Sequence, residues 1–167
     1  MSDQHKTAES NVDDRLAHLE LRLRQVEDRL AITQLLASYG PLVDSGDPDA
    51  TAALWAEAGQ YDVPGLLMKS REDIRTMVSS SAHRTLIESG SAHFIGPASI
   101  AIDGDRAVAV CESILVLREN DAYRILLSGS HRIQLERLNE DWKITHRITR
   151  ELNGDSEARE LLRPKFH

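Results

Sequence analysis

The residues to ask first about chemistry are the imidazole and guanidinium groups that strand alternation turns toward an apolar face, where a base or a cation needs a partner or a wet cavity. In the stretch 123–138 the odd positions read Tyr123, Ile125, Leu127, Gly129, His131, Ile133 and Leu135, and the even ones Arg124, Leu126, Ser128, Ser130, Arg132, Gln134 and Glu136. Alternation therefore puts His131 on the more apolar face. In 142–152 one face reads Trp142, Ile144, His146, Ile148, Arg150 and Leu152, so strict alternation sends His146 and Arg150 inward as well. An inward Arg150 implies that the sheet encloses a pocket with a place for an anionic group. His93 lies in Ser91-Ala92-His93-Phe94-Ile95-Gly96, where both faces carry apolar residues and alternation does not orient it. A histidine with one ring nitrogen free is a general base near neutral pH, whereas a hydrogen-bonded core histidine is the plainer reading of any one of these alone. The separations of His93, His131 and His146 show no local ligand motif, so no metal is predicted.

The elements that must position these groups are legible in outline. Residues 1–12 are polar with no period and are expected to be a flexible N-terminus. From Asp13 a helix is predicted, with Leu16, Leu19, Leu23, Val26 and Leu30 spaced as a heptad seam that fits either the protein's own body or a partner subunit. The apolar positions then shift to Ile32, Leu35, Leu36, Tyr39 and Val43, and Gly40-Pro41 predicts a kink just before Asp44. Asp47-Pro48 reads as the cap and first residue of a second helix running to about Ala58. A short strand at 60–63 and its hairpin partner at 66–69 follow. Ser70 with Asp73 then opens a third helix predicted to reach about Glu88. After Gly90 come four strand-like stretches, 91–102, 107–118, 123–138 and 142–152, joined by the turn signals Asp103-Gly104-Asp105, Glu119-Asn120-Asp121 and Asn139-Glu140-Asp141, short links that make an antiparallel meander. Residues 13–155 thus read as one domain with an extended first helix, and 156–167 as a tail or short helix.

Composition narrows the class. The chain has 167 residues, 20 Lys plus Arg against 27 Asp plus Glu, and a net charge of −7. Its acidic balance repels phosphate backbones, and no basic run is present, so nucleic acid is not an expected partner. The single cysteine, Cys111, excludes an intramolecular disulfide framework and fits a reducing compartment. The polar N-terminus and the lack of a long apolar run make no membrane segment and a cytoplasmic location the expectation.

Four segments carry a family resemblance over residues 28–155. They are Tyr39-Gly40-Pro41-Leu42-Val43-Asp44-Ser45-Gly46-Asp47, Leu54-Trp55-Ala56-Glu57 with Gln60-Tyr61-Asp62-Val63, Ala92-His93-Phe94-Ile95-Gly96, and Asp141-Trp142-Lys143-Ile144. Together they resemble the SnoaL-like, or nuclear-transport-factor-2-like, superfamily. The resemblance implies an α+β fold in which a strongly curved antiparallel sheet wraps around helices as a cone with an internal pocket, a cystatin-like α+β barrel. Within that superfamily the chain is most similar to the scytalone dehydratase, hexachlorocyclohexane dehydrochlorinase and bile-acid dehydratase group. That likeness implies an Asp44–His93 dyad, Tyr39 as a pocket hydroxyl and Arg150 as a pocket arginine; His131 and His146, from their inward positions, and Trp55 are expected beside them in contact with substrate. The activity implied is a cofactor-independent lyase on an apolar cyclic small molecule, in a homo-oligomer of two or three chains. The same fold hosts ketosteroid-isomerase-like enzymes, for which Asp62 would be the base, as well as polyketide-cyclase-like enzymes and non-catalytic subunits or ligand carriers.

Overall fold

A computed structural model describes residues 2–163, with side-chain positions from Asn11 onward. The first helix, α1 (Ser2–Asp44), includes the polar segment ahead of Asp13 and runs through Gly40-Pro41 without interruption. It is followed by α2 (Pro48–Ala52), β1 (Trp55–Val63), β2 (Leu66–Met68), α3 (Arg71–Ser79) and α4 (Ser81–Glu88). The β-rich half contains β3 (Ser91–Ile95), β4 (Ser99–Asp103), β5 (Arg106–Glu119), β6 (Ala122–Leu138) and β7 (Asp141–Glu151), and α5 (Ser156–Leu161) closes the described chain. Residues 164–167 of the expected tail lie outside the described residues. No helix among the described residues is long and apolar enough to cross a membrane.

Three boundaries differ from the sequence expectation, each for a local reason. The second helix stops at Ala52, because Trp55 enters the core with no exposed surface and Ile144 N–H donates to Leu54 O, which starts the sheet instead. The third helix divides at Ser80, whose extended backbone ends α3 while its hydroxyl accepts from His83 N–H and opens α4. The predicted capping of α3 by Ser70 is present, and Asp73 reaches back to the residue before the cap. Ser70 Oγ accepts from Asp73 N–H at 3.1 Å, and Asp73 accepts from Lys69 N–H at 2.8 Å. The first long strand divides into β3 and β4 around Gly96-Pro97, and both halves pair with β5.

The curved sheet has the order β2-β1-β7-β6-β5-β3, with β4 also on β5, and it is not closed into a barrel. Hairpins join β5 to β6 through Asn120-Asp121 and β6 to β7 through Asn139-Glu140, all four in the left-handed region that a two-residue hairpin turn requires. The sheet is not wholly antiparallel: β1 runs parallel to β7. Short turns dictate antiparallel pairing only between consecutive strands, and β1 and β7 are the two ends of a long excursion. Two bulges bend the long strands. Leu126 is the extra residue of β6 opposite Leu115 and Val116, and Thr145 is the extra residue of β7 opposite Gln134 and Leu135.

The core lies between the concave side of the sheet and α1 to α3. Ile32, Leu36, Tyr39 and Val43 of α1 meet Trp55, Ile133, Leu135 and Ile144 from the strands and Ile74 and Val78 from α3. Asp28, on the same side of α1, fastens the helix to the far end of the sheet. Its carboxylate pairs with Arg137 at 2.6 Å and accepts from Trp142 Nε1–H at 3.2 Å, while the guanidinium lies 4.6 Å over the Trp142 ring. Asp28→Ala leaves both donors without this acceptor in a nearly dry site, and a loss of about 1–3 kcal/mol is expected. Urea unfolding of the variant should show it, and a change below about 0.5 kcal/mol, typical of a surface position, would be inconsistent with the role described.

Candidate active site

Asp44 is the last residue of α1, and β3 passes directly beneath it. Both carboxylate oxygens are committed to one residue: Oδ2 accepts from His93 N–H at 2.7 Å, and Oδ1 lies 2.6 Å from His93 Nδ1. The geometry requires Nδ1 to carry the proton it donates, so the neutral imidazole keeps its lone pair on Nε2. The approach depends on Gly40, one turn earlier, because a Cβ there would fall 2.2 Å from His93 O. This explains a glycine in mid-helix.

His93 and Asp44 side chains are 18% and 22% exposed and form the solvent-facing end of the site. Behind them the rings become buried. The Tyr39 ring stands edge-on to His93 at 6.2 Å and to Trp55 at 5.9 Å, and Trp55 lies 5.6 Å from Tyr61. Trp55 Nε1–H is buried and has no acceptor among the described residues. His83 of α4 lies 6.0 Å from His93, ring to ring, and its Nε2 is 3.4 Å from Val43 O. Burial, and next to it the His93 ring, lower the pKa of His83 from its ordinary value.

The arginine of the site is Arg147, not Arg150. Up to Ile144 the inward face of β7 is the predicted one, with Trp142 and Ile144 buried. Thr145 then occupies the bulge, and the alternation reverses: Arg147 and Thr149 turn inward, while His146 and Arg150 turn to the other face. Arg150 makes a two-pronged ion pair with Asp62 and a second with Glu157 of α5, which fastens that helix to the sheet. These partners raise its pKa further, Asp62 foremost. Asp62 is thereby also removed from the concave face, which its neighbour Tyr61 occupies.

Arg147 is 2% exposed, and its guanidinium carbon lies 4.1 Å over the Tyr39 ring and 4.7 Å over the Tyr61 ring. Two aromatic faces stabilise a cation that has left water. The guanidinium also donates to His131 Nδ1, at 3.3 Å from Nη2. An arginine can only donate, so Nδ1 is the accepting nitrogen, and it takes a second hydrogen bond from Thr149 Oγ1 at 2.8 Å. His131 Nε2–H then donates to Ser113 Oγ at 2.6 Å. His131 faces inward as alternation predicts, but both of its nitrogens are engaged by the protein, and what it holds is Arg147. Burial pushes the Tyr39 hydroxyl far above its usual range, with Tyr61 adding to the effect and Arg147 opposing it. Tyr39 is therefore a neutral hydrogen-bond donor at physiological pH.

Burial, and after it the Arg147 cation, hold the His131 pKa well below the ordinary 6.5. Below about pH 6.5 the unfolded chain binds a proton at this position that the folded one refuses, so stability falls as pH drops, by up to about 1.4 kcal/mol per pH unit. The buried His83 acts with the same sign. Urea unfolding between pH 7.5 and 5.5 should show a steeper loss for the wild type than for His131→Leu. Parallel pH dependences for the two proteins would contradict the neutral, buried assignment.

His93, His131 and His146 do not converge, and the described residues contain no group of three or more metal-ligating side chains. Alternation missed Arg147 and Thr149, because nothing in the residue types of 142–152 marks the bulge, and Ser113 on β5 carried no signal beyond its residue type. Tyr61 and His83 carried no signal of their own beyond their residue type.

A family model described as a SnoaL-like domain matches residues 24–148. The chain belongs to the SnoaL-like family. Among solved structures, this SnoaL-like protein is similar to an NTF2-like protein with a cystatin-like fold from Novosphingobium aromaticivorans, at 38% identity and a TM-score of 0.87, with 89% of this chain and 97% of that one covered. A protein of unknown function from Mycobacterium tuberculosis shares 23% identity with a TM-score of 0.71, over 83% of this chain and 86% of that one. A candidate scytalone dehydratase from Novosphingobium aromaticivorans shares the fold at 18% identity and a TM-score of 0.66, over 76% and 85%. No match is found among curated proteins. SnoaL-like members are often enzymes.

Proposed function

We propose that this SnoaL-like protein is a cofactor-independent lyase of the cytoplasm, a dehydratase or similar elimination catalyst acting on an apolar cyclic small molecule. The reading is carried by one observation, the 2.6 Å contact between His93 Nδ1 and Asp44, which leaves Nε2 as a free lone pair at the exposed end of an otherwise dry, aromatic site. His93 Nε2 takes a proton from the carbon next to the one bearing the leaving oxygen. The C–H electron pair becomes the new double bond, and the oxygen departs with its own bonding pair. The imidazolium, stabilised by Asp44, returns the proton to that oxygen, so water leaves and His93 is neutral again. The unpartnered Trp55 N–H is the donor free for a carbonyl oxygen on the substrate, the Tyr39 hydroxyl could serve by exchanging its hydrogen bond to Tyr61, and the buried Arg147 charge favours the negative charge that develops there.

An isomerase that uses Asp62 is less well supported, since that carboxylate is paired to Arg150 on the opposite face. The test presents full-length protein with a panel of cyclic β-hydroxyketones and follows the absorbance of the conjugated alkene. His93→Ala should lower kcat/KM by about 10²–10⁴, and Asp62→Asn should leave it close to wild type. The reverse pattern would transfer the chemistry to Asp62, and no elimination from any member of the panel would overturn the lyase reading.

A further inference from the structure

Every described residue of α1 from Asn11 to Glu27 is exposed, a stretch of 17 residues, about 25 Å at 1.5 Å per residue, which forms an arm whose base, at Glu20, Leu23, Arg24 and Glu27, borders a cleft with Arg137 and Trp142 of the body. Along it Val12, Leu16, Leu19, Leu23, Val26 and Leu30 are each 54–64% exposed. They alternate at spacings of four and three, the a and d positions of a heptad with Leu16, Leu23 and Leu30 at a. The body covers a different side of the helix: Asp28, Ile32, Leu36 and Tyr39 are buried and fall at f, c, g and c. The seam thus faces away from the protein's own core, and six large apolar side chains stand in water along one line.

The charges beside the seam state what covers it. The e positions are Asp13, Glu20 and Glu27, all acidic, and the g positions are Arg15, Arg22 and Arg29, all basic. In a parallel, in-register pair of this helix, each g residue meets the e residue of the next heptad across the seam, so Arg15 faces Glu20 of the partner subunit and Arg22 faces Glu27 of the partner subunit. The same pairs recur with the roles of the chains exchanged. An antiparallel pair would set arginine against arginine and carboxylate against carboxylate. Arg29 is already engaged by its own body, donating to Ile100 O at 3.1 Å. We propose that the arm of α1 is an oligomerisation element, which joins copies of this chain in a parallel, in-register coiled coil through residues 12–30. Such a short seam would be marginal as a free peptide, but here its helix is continuous with a segment anchored in the core, so nucleation has already occurred.

The test uses the full chain. Sedimentation equilibrium between 1 and 100 μM should show an oligomer for the wild type, and Leu19→Glu with Leu23→Glu should lower its mass, with circular dichroism confirming that the body stays folded. Val12→Cys should cross-link to itself under mild oxidation, since only a parallel, in-register pair brings like positions together; Cys111 is buried and serves as the internal control. A wild type that is monomeric throughout, an assembly mass unchanged by the two glutamates, or an uncross-linked Val12→Cys would each overturn the proposal. None of these readouts depends on turnover.

Discussion

Asp44→Asn should cost the protein its base at neutral pH while leaving the fold in place, and the geometry says how. The carboxylate receives two hydrogens from His93, one from the backbone N–H at Oδ2 and one from the ring at Oδ1. An asparagine offers only one acceptor. If its oxygen takes the backbone N–H, its NH₂ group faces Nδ1, which must then accept, and the imidazole proton moves to Nε2. The nitrogen that should remove a substrate proton then already holds one. The loss expected in kcat/KM is about 10²–10⁴, the range for removing a general base or fixing the wrong tautomer of a triad histidine. The same event can be read without a substrate. The ¹⁵N shifts of the His93 ring should assign the proton to Nδ1 in the wild type and to Nε2 in the variant. A variant ring that remains protonated on Nδ1 would remove the tautomer argument. Asp44→Ala, which offers Nδ1 no partner of either kind, should give a mixture of the two tautomers.

The dyad has one further support that concerns charge. When His93 becomes an imidazolium, the groups around it are Asp44, the neutral Tyr39 and His83, whose own protonation is opposed by burial and by His93. A second cation at the same place is therefore disfavoured, and the new charge is answered by one carboxylate. The other fixed charge of the site, Arg147, is held on the far side of the Tyr39 ring by two aromatic faces and His131. In the proposed elimination, positive charge for a developing oxyanion and a neutral base for a proton would thus be kept apart by an aromatic ring, which would let both act in one site.

What could be read in the sequence, and what could not, follows the same division between local and non-local causes. The turns at Asp103-Gly104, Asn120-Asp121 and Asn139-Glu140, the Ser70 cap and the inward face of β6 through His131 all depend on residues close together in the chain, and all are present. The SnoaL-like fold and the positions of Asp44 and His93 were legible through resemblance, and the structure places the two in contact. Arg150 and His146 were misplaced because one residue, Thr145, slips into a bulge and turns everything after it over. Thr145 Oγ1 donates to Gln134 O at 3.3 Å, a contact across two strands that residue types along β7 cannot announce. The helix ends at Ala52 and Ser80 were missed for a related reason: tertiary burial of Trp55 and a second cap at Ser80 overrode helical patterns that looked continuous.

Gly40→Ala sets two effects against each other, and their magnitudes decide the sign. Helix propensity alone favours alanine inside α1 by about 1 kcal/mol. The added Cβ, however, would stand 2.2 Å from His93 O and 3.4 Å from His93 C. That neighbour is backbone in a paired strand, with His93 opposite Leu115, so it cannot rotate away as a side chain could. Ordinary contact would require α1 and β3 to separate by about 1 Å, and overpacking of this kind costs about 1–3 kcal/mol. A 2.2 Å approach to immobile backbone falls in the upper part of that range, so the clash prevails, with a net loss of up to about 2 kcal/mol in urea unfolding. The larger consequence is for the site, because the separation acts one helical turn from Asp44 and stretches both of its bonds to His93. A 1 Å misplacement of a catalytic pair can cost about 10²-fold in rate. The variant should accordingly lose activity out of proportion to its stability, with the His93 ring nitrogens reporting a mixture of tautomers. A Gly40→Ala protein that is more stable than the wild type, as propensity alone would have it, would show that the helix and strand are not packed as closely as described.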